Sequence, residues 1–328
     1  MQVNRPDETS YAGLSTFMKV PHVLDPEGLR GSDVAILGAP MDDLVTYRPG
    51  ARFGPRAIRA AHDDSRPSAW HMDLGIDPFA ELEIVDAGDA PVTPGDAHRS
   101  HRAIRAAVSG IVESGVVPVV LGGDHSIAYP DIAAVAAGAA SGSLALVHLD
   151  AHADTATEIY GVEWSHGTPF RHLVDEGIVP GPRLVQVGLR GYWPEPTEFS
   201  WARQMGVRWH RMQEITERGV DAVVESVLDE IRDAERLFLS VDIDVLDPAF
   251  APGTGTPEPG GMTTRELLRI VRRVVLAHDL AGMEVVEVSP PYDHAELTAM
   301  AAHRVVLEGL SALAVRRSGR APAPEEPA

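Results

Sequence analysis

The sequence contains no cysteine and only one lysine, Lys19. Without cysteine, disulfides, zinc–thiolate sites and cysteine nucleophiles are all excluded. A single lysine close to the amino terminus also disfavours catalysis through a lysine Schiff base. Covalent chemistry at either of these residue types is therefore not expected.

Positive charge is scarce as well. The chain of 328 residues has 28 Lys and Arg against 48 Asp and Glu, a net charge of −20. Such a negative field opposes binding to nucleic acid and to anionic membranes, and it weakly favours small cationic substrates. No window resembles a signal peptide or a membrane span, so we expect a cytoplasmic protein.

A hydrophobic content of 44% is ample for one large core. We expect an irregular arm at residues 1–32, a single catalytic domain at 33–315 and a disordered tail at 316–328, which ends in the letters APAPEEPA. Apolar runs typical of strands recur at 33–38, 83–85, 116–121, 143–149, 184–187, 237–241 and 283–288. Helical patterns fall at 97–113, 129–137, 220–232 and 263–277.

The alternation of strand-like and helix-like segments predicts an α/β fold with a mostly parallel sheet covered on both faces. A barrel is the competing architecture, because seven or eight strand–helix units would also form one. Clusters of Gly and Pro directly follow several strands. They would form loops at the carboxyl ends of the strands, where open α/β sheets carry their ligand sites.

The most informative segment is an alternation of His and Asp, the letters HLDAHAD at 148–154, directly after an apolar run. Side chains of an extended chain alternate faces, so Asp150, His152 and Asp154 can point the same way. Asp242 and Asp244 follow another apolar run with the same spacing. Carboxylates gathered on one face repel each other unless a cation lies between them. We therefore predict a metal site at the ends of these strands.

A third strand end adds His125, which follows Gly122, Gly123 and Asp124. The combined set has too many ligands for one zinc ion but suits two divalent ions that prefer oxygen and share a carboxylate. Two such ions about 3.5–4 Å apart can share one hydroxide at neutral pH. The predicted metal ligands are His125, Asp150, His152, Asp154, Asp242 and Asp244.

These motifs resemble the signatures of the ureohydrolase (arginase/agmatinase) family. The resemblance extends from about residue 40 to 310 and rests on GGDHS at 122–126, HLDAHAD at 148–154, SVDIDVLDPAFAPGTGT at 240–256, TYRPGARFGP at 46–55, SHGT at 165–168 and VEVSPPYDH at 286–294. Within the family, the sequence is most similar to the agmatinase, guanidinobutyrase and proclavaminate amidinohydrolase branch. The resemblance implies a three-layer α-β-α sandwich, two Mn²⁺ ions with Ni²⁺ as the alternative, and a homo-oligomer, a trimer or hexamer.

The resemblance also implies a role for each residue. One metal would be held by His125, Asp150, Asp154 and Asp242, and the other by Asp150, His152, Asp242 and Asp244. The catalytic residues would be His166 as the proton shuttle, Glu287 as the carboxylate that binds the guanidinium group, and Asp244 as the residue that orients the hydroxide. The implied reaction cleaves a C–N bond of a guanidino compound to give urea and an amine.

Several positions depart from the family pattern and bear on the substrate. The loop after Asp154 differs from the Asn/Thr/Ser-rich loop of arginases, which disfavours arginine. Asp42 and Asp43 replace a Gly-rich segment of agmatinases and could cap the pocket, bind a distal cation or hold the loop. The aromatic residues expected to flank the pocket are Tyr160, Trp164, Tyr192 and Trp193. Agmatine, guanidinobutyrate, guanidinopropionate and guanidine all remain open as substrates.

Other polar residues have structural interpretations. We expect His148 to support the ligands from deeper in its strand, and Asp124 to form loop hydrogen bonds. The histidines expected at the surface are His22, His98, His101, His210 and His278. The alternatives to a guanidino hydrolase are a guanidine hydrolase giving urea and ammonia, a non-catalytic paralogue subunit, and another amide-type hydrolase such as a formimidoylglutamase or a deacetylase.

Overall fold

The computed structural model describes residues 12–61, 69–140 and 142–319. The described residues contain one sheet of eight strands, and every strand pair is parallel. The strands are β1 (Val34–Ala39), β2 (Ile84–Asp89), β3 (Val117–Gly122), β4 (Leu144–Leu149), β5 (Leu184–Leu189), β6 (Arg208–Arg211), β7 (Arg236–Asp242) and β8 (Asp279–Val286). Their order across the sheet is β2-β1-β3-β8-β7-β4-β5-β6. The sheet is open, which excludes the barrel.

Helices cover both faces of this sheet. In chain order they are α1 (Pro26–Leu29), α2 (Gly54–Ala60), α3 (Pro78–Glu81), α4 (Ala97–Glu113), α5 (Ala128–Ala137), α6 (Pro169–Asp175), α7 (Pro196–Met205), α8 (Met212–Arg218), α9 (Val220–Ile231), α10 (Thr264–Ala277) and α11 (Leu297–Ser318).

Alternating residues of each strand enter two separate cores. Val34 and Ile36 of β1 face a core shared with α2 and α8 to α11, whereas Ala35 and Leu37 face a core shared with α4 to α7. Because both faces of the strands are buried, their sequences are almost continuously apolar. The result is the three-layer α-β-α sandwich that the sequence motifs implied.

The helical patterns at 97–113, 129–137, 220–232 and 263–277 correspond to α4, α5, α9 and α10. Helix α10 begins with a reciprocal cap, in which the side chains of Thr263 and Glu266 each bond the other residue's backbone N–H. The short edge strand β6 was not expected, because Arg208, His210 and Arg211 make it polar.

Helix α11 was also not predicted. It is long and apolar enough to cross a membrane, but 83% of its most apolar window is buried in the fold, as in a core helix. It lacks amphipathic periodicity because both its sides pack against protein, on α2, α3 and α10. The helix continues to Ser318, so residues 316–318 of the expected tail are helical, and residues 320–328 lie outside the described part of the chain.

Residues 12–32 form an arm, most of it irregular, that is attached to the edge strand β2. Phe17 is fully buried, and its backbone N–H donates to Asp86 Oδ2 at 2.9 Å. The backbone N–H of Val23 donates to the carbonyl of Asp86 at 2.8 Å. The first residues of the expected arm, 1–11, are outside the described residues.

The central strands of the sheet are β3, β8, β7 and β4, and their carboxyl ends lie side by side. Strands β1 and β2 lie on one side of these four and β5 and β6 on the other, while the last two strands of the chain, β7 and β8, are inserted between β3 and β4. In open α/β sheets the ligand crevice opens at such a point. All the polar motifs of the sequence emerge at this edge.

Candidate metal centre

The four central strands each contribute polar side chains at their carboxyl ends. His125 lies in the short turn after β3, and Asp150, His152 and Asp154 follow β4. Asp242 is the last residue of β7, and Asp244 lies in the turn that follows it. Glu287 directly follows β8. Since parallel strands end at the same edge, residues far apart in sequence meet there.

Potential metal-ligand atoms come together at two places, called here the convergence points. The first convergence point is at His125. Its Nδ1 atom lies 3.1 Å from Asp150 Oδ2, 3.0 Å from Asp154 Oδ2 and 3.2 Å from Asp242 Oδ2. The ring is completely buried, and within the described residues this nitrogen has no hydrogen-bond partner. An orphaned buried nitrogen facing three carboxylates is the arrangement that a bound cation would satisfy.

His152 marks the second convergence point. Its Nδ1 atom is 3.1 Å from Asp244 Oδ2 and 3.5 Å from Asp150 Oδ1. Asp150 therefore presents one oxygen towards His125 and the other towards His152. Donor atoms of Asp150, His152 and Asp244 all lie within 4.8 Å of one another, close enough to hold one ion. The residues present thus fit two adjacent cations with Asp150 between them.

The electrostatics of the protein alone also indicate a missing positive charge. Burial and repulsion from Asp244 and Asp150 raise the pKa of Asp242 well above its usual range. Burial, opposed in part by His152, likewise raises the pKa of Asp244. A cation between these carboxylates would offset the repulsion and favour their charged forms.

His148 lies as close to Asp150 as a ligand would, but its hydrogen bonds argue against that role. Gln186 Nε2 donates to the carbonyl of Ala153 at 2.6 Å and to His148 Nδ1 at 2.9 Å. Because Nδ1 accepts, Nε2 carries the proton and donates to Asp150 Oδ2 at 2.8 Å. His148 therefore orients Asp150, the supporting role expected from the sequence.

The acidic pair after β7 is held by hydrogen bonds from three directions. The backbone N–H of Asp244 donates to Asp242 Oδ1 at 2.8 Å. Ala151 N–H donates to Asp244 Oδ1 at 3.2 Å, and the Thr256 hydroxyl donates to Asp244 Oδ2 at 3.2 Å. Thr256 is the last residue of the motif at 240–256, and the sequence alone did not indicate a function for it. Its contact becomes visible only when the loop after β7 folds back over the site.

Glu287 occupies the position opposite these carboxylates. Its Oε1 atom accepts from the backbone N–H of His125 and lies 2.9 Å from His166 Nδ1. Its Oε2 atom is buried and has no partner among the described residues. A side chain at Gly255 would place Cβ 2.8 Å from this oxygen, so glycine keeps the space over it open.

Backbone strain coincides with these site residues. Asp154 has φ of 52° and Glu287 has φ of 62°, left-handed values that are uncommon for residues other than glycine. Surrounding structure must hold such residues in place, and strained backbone is concentrated at functional sites. The sequence gives no signal of this strain.

His166 lies at the boundary between the metal site and the solvent. Its Nε2 atom is 2.7 Å from the Thr46 hydroxyl, and its backbone N–H donates to the carbonyl of Leu44. Burial opposes a charge on the ring, but the neighbouring Glu287 carboxylate raises the pKa of His166 to about 9. The ring is therefore an imidazolium near neutral pH, with a proton available at the cavity.

A cavity of about 240 Å³ opens above the two convergence points. Two of the four expected aromatic residues line it, Tyr160 and Trp193. Trp164 does not line it and instead stacks on His172 at 4.1 Å between ring centroids, whereas Tyr192 is completely exposed. The remaining lining residues are Thr46, His152, Asp154, Ile159, His166, Gly167, Asp242 and Thr256.

Asp42, Asp43 and Asp124 hold loops rather than line this cavity. Asp42 accepts from the Gly50 backbone N–H at 2.7 Å and pairs with Arg52, which also contacts Asp43. Asp124 accepts from the backbone N–H groups of Ser126 and Leu44. Of the three roles open to Asp42 and Asp43, the structure therefore favours holding the loop.

The expectation that His101, His210 and His278 lie at the surface was wrong. His101 contacts Ser126 at 3.0 Å, and burial lowers its pKa to about 4. His210 lies between Glu214 and Glu230, and His278 contacts the carbonyl of Ile231. His101 lies on the buried face of α4 in line with Ile104 and Val108, His210 lies within β6, and His278 caps the end of α10. His98 is exposed and His22 is half-buried.

The arrangement agrees with the comparisons with known proteins. The model of the arginase family matches residues 32–311. The chain belongs to the arginase family. It is 42% identical over 300 residues to proclavaminate amidinohydrolase of Streptomyces clavuligerus, covering 91% of this chain and 92% of that protein. It is 38% identical over 303 residues to guanidinobutyrase of Pseudomonas aeruginosa, covering 92% and 93%.

Solved structures extend this agreement from sequence to fold. The solved structure of the Streptomyces clavuligerus proclavaminate amidinohydrolase superimposes on the chain with a TM-score of 0.86 at 41% identity. The superposition covers 94% of this chain and 100% of that one. The arginase-family fold therefore extends over nearly the whole described chain, and the relatives belong to the branch that the sequence motifs indicated.

Proposed function

We propose that this arginase-family protein is a dinuclear-metal amidinohydrolase that cleaves a C–N bond of a guanidino compound to give urea and an amine. The observation that carries the proposal is the orphaned Nδ1 atom of His125, which faces three carboxylates within 3.2 Å. Relatives named proclavaminate amidinohydrolase, guanidinobutyrase and agmatinase support the same reaction class.

The proposed ligand sets follow the two convergence points. His125, Asp150, Asp154 and Asp242 would hold one ion, and Asp150, His152, Asp242 and Asp244 the other. We propose Mn²⁺ as the resident metal with Ni²⁺ as the alternative, since both accept mixed imidazole and carboxylate ligands. When bound, two such ions lower the pKa of a shared water to near 7 and so supply a nucleophile.

The guanidinium group of the substrate would lie against Glu287. A planar cation pairs well with a carboxylate, and Oε2 of Glu287 is the oxygen without a partner in the described chain. Because Oε1 is already held by the His125 backbone and by His166, the carboxylate cannot rotate away. The guanidinium carbon would then lie above the metal ligands, where the nucleophile is generated.

Asp244 and His166 would handle the protons. Asp244 would orient the attacking water by a hydrogen bond, since Ala151 and Thr256 fix its carboxylate. His166 would deliver a proton to the leaving amine, because its imidazolium lines the cavity and is held by Glu287 and Thr46. The reaction then requires no serine or cysteine nucleophile.

The test is urea release from a panel of guanidino compounds by protein loaded separately with Mn²⁺ and Ni²⁺. The panel contains agmatine, 4-guanidinobutyrate, 3-guanidinopropionate, butylguanidine and guanidine. Urea from at least one compound supports the proposal, and the Asp150→Asn protein is the matched blank. No urea from any compound with either metal would overturn it. The same outcome with metal bound would favour the non-catalytic subunit.

The finer expectations from the sequence remain proposals. We propose a cytoplasmic protein with a single catalytic domain at residues 33–315, assembled as a trimer or hexamer. Light scattering of the purified protein measures the assembly directly, and a monomer would contradict it. Among the features that the sequence left open, the residues that line the cavity bear on the charge of the substrate tail.

A further inference from the structure

We infer that the substrate is a guanidino compound without a carboxylate, so that its tail is uncharged or cationic. This inference rests on the proposed function and narrows it. It is supported by the charges of the residues that line the cavity and of the loops that form it. Alkylguanidines, aminoalkylguanidines and guanidine itself belong to the inferred class, whereas guanidino acids do not.

The first observation is the cavity lining. Apart from the metal-site carboxylates and the two histidines, the wall consists of Thr46, Ile159, Tyr160, Trp193 and Thr256, together with Gly167. None of the described lining residues is an arginine or a lysine. Apart from His166, whose imidazolium is already paired with Glu287, these wall residues offer a carboxylate tail no counter-charge for the water that it would lose, and such a loss is costly.

The second observation concerns the loops that supply these residues. Residues 40–47, 155–170, 191–202 and 243–262 contain neither arginine nor lysine. They do contain several acidic residues beyond the proposed ligands and the loop-holding Asp42 and Asp43, namely Glu158, Glu163, Glu195, Glu198, Asp247 and Glu258. The loops are therefore negatively charged by composition, as is the chain as a whole.

Three arginines next to or near these loops, Arg48, Arg52 and Arg190, are directed elsewhere. The Arg48 guanidinium lies 5.2 Å and 5.1 Å from the ring centroids of Tyr47 and Tyr292. Arg190 donates to the backbone carbonyls of Asp244 at 2.7 Å and Glu258 at 2.6 Å. Arg52 is paired with Asp42 and Asp43. Each of these guanidinium groups already has partners, and none of them lines the cavity.

Glu198 strengthens the negative field close to the metal site. This half-buried carboxylate accepts from the Thr155 hydroxyl at 3.4 Å, directly behind Asp154. A carboxylate brought into this region by a substrate would be repelled by Glu198.

An uncharged or cationic tail meets no such obstacle. The rings of Trp193 and Tyr160 line the cavity and remain 38% and 89% exposed. Aromatic faces accept alkyl chains by burial and cations through the ring quadrupole. The wall thus suits a tail that is apolar or positively charged, which agrees with the acidic surroundings.

The experiment compares tails of matched length. Butylguanidine, agmatine and 4-guanidinobutyrate have an apolar, a cationic and an anionic tail on the same guanidino group. We expect kcat/KM for 4-guanidinobutyrate to be at least ~100-fold below that for butylguanidine, since like charges placed together cost several kcal/mol. Values within tenfold of each other would overturn the inference. If no compound yields urea, the proposed function fails instead, so the two failures are distinguishable.

A charge-introducing variant tests the cause. In Ile159→Arg the wall gains a cation, and we expect kcat/KM for 4-guanidinobutyrate to rise by about tenfold relative to agmatine. Ile159→Gln, of similar polarity without the charge, should keep the wild-type order of substrates. Tyr160→Arg repeats the test at an exposed position that tolerates substitution if the first variant folds poorly. An unchanged order in both arginine variants would overturn the electrostatic explanation.

A binding measurement provides a readout besides turnover. Calorimetry on the metal-loaded wild-type protein compares the product-like ligands butylamine, putrescine and 4-aminobutyrate. We expect 4-aminobutyrate to bind more weakly than butylamine, and the difference to shrink as salt is added because salt screens exposed charges. Tighter binding of 4-aminobutyrate than of butylamine would contradict the inferred class.

Discussion

His166 Nδ1 lies 2.9 Å from Glu287 Oε1, and the other carboxylate oxygen of Glu287 is buried without a partner among the described residues. One carboxylate thus holds the proposed proton donor with one oxygen and leaves the other for the substrate. In the proposed mechanism the pair would couple proton delivery to substrate binding, because both would depend on the same negative charge.

His166→Asn should lower kcat by about 10²–10⁴-fold, the usual contribution of a general acid or base. The metal content should not change, since His166 is not among the proposed ligands. Metal analysis and steady-state kinetics on the same preparation check both points. Turnover within a factor of two of the wild type would remove the proton-delivery role.

The pH dependence of the same residue has a definite sign. Burial lowers the pKa of His166, but the Glu287 charge raises it to about 9, so the imidazolium persists up to that pH. As the acid it must be protonated, and the rate should fall as the pH rises through about 9. In Glu287→Gln the raising charge is absent, so the pKa should fall. Histidine titration by NMR in the variant measures this shift, and a pKa that stays near 9 would contradict the assignment.

Asp150→Asn should abolish metal retention and activity together, because Asp150 presents one oxygen to each convergence point. An amide offers one neutral oxygen and one nitrogen donor that repels a cation. Asp233→Asn is the matched control, since the Asp233 side chain is 81% exposed. Both proteins are analysed for bound metal after dialysis. Full metal content in Asp150→Asn would show that the shared position is wrong.

Asp131 and Glu284 form a second buried acidic pair, beneath His125. None of the four carboxylate oxygens has a hydrogen-bond partner among the described residues. Burial and repulsion from Glu284 raise the pKa of Asp131 well above its usual range. Because an amide can donate to Glu284, Asp131→Asn should stabilise the fold by about 1–3 kcal/mol at neutral pH.

The pH dependence distinguishes this cause from general packing. A raised folded pKa contributes stability that is present below the unfolded value of 3.8 and is lost as the pH rises through the folded pKa. The advantage of Asp131→Asn should therefore grow with pH. Urea unfolding near pH 5 and near pH 8 measures this difference, with Asp233→Asn as the control. A variant less stable than the wild type at both values would contradict the prediction.

Glu308 ties helix α11 to its neighbours. Its buried carboxylate contacts His71 at 3.1 Å and Arg272 of α10 at 2.5 Å. Glu308→Gln removes the charge that pairs with this arginine and should destabilise the fold by about 3–5 kcal/mol. Glu225→Gln removes an exposed partner of Arg273 and should cost at most about 1 kcal/mol.

Acid should reduce the effect of Glu308→Gln. Burial raises the pKa of Glu308, but the hydrogen bonds from His71 and Arg272 outweigh it and lower the pKa below 4.5. Stability from such a group is present above 4.5 and is lost as the pH falls through the lowered value. The difference between wild type and variant should shrink over that interval in unfolding experiments. A difference that grew in acid would exclude the ion-pair explanation.

Much of the proposed metal centre could be predicted from sequence because its ligands occur in short local patterns. HLDAHAD and the Asp242–Asp244 pair each place their ligands within a few residues of the end of an apolar strand, although residues 151–154 and 243–245 form turns rather than the extended chain expected from the sequence. Both patterns follow apolar strands that parallel pairing brings together. Helix α4 was predictable for a similar reason, since one of its faces is apolar and the other polar.

Other features had no local signal. Helix α11 is buried on all sides and therefore has no amphipathic period, and β6 is polar because it lies at the edge of the sheet. Thr46 and Gln186 acquire their roles through contacts with residues far away in the chain, and Thr256 through a contact across the loop that follows β7. Which of the four aromatic residues line the cavity also depended on how the loops fold. Tyr160 and Trp193 line it, whereas Trp164 and Tyr192 do not.

The sequence by itself determined the fold class, the arginase-family resemblance and the candidate metal ligands, because strand periodicity and ligand spacing are local properties. Only the tertiary structure decided that His148 supports Asp150 rather than joining the ligands. It further decided that one carboxylate oxygen of Glu287 is held by His125 and His166, while the other has no partner among the described residues. It also decided which arginines stay away from the cavity. These outcomes depend on distances between residues that the chain brings together across four strands, and no local pattern encodes such distances.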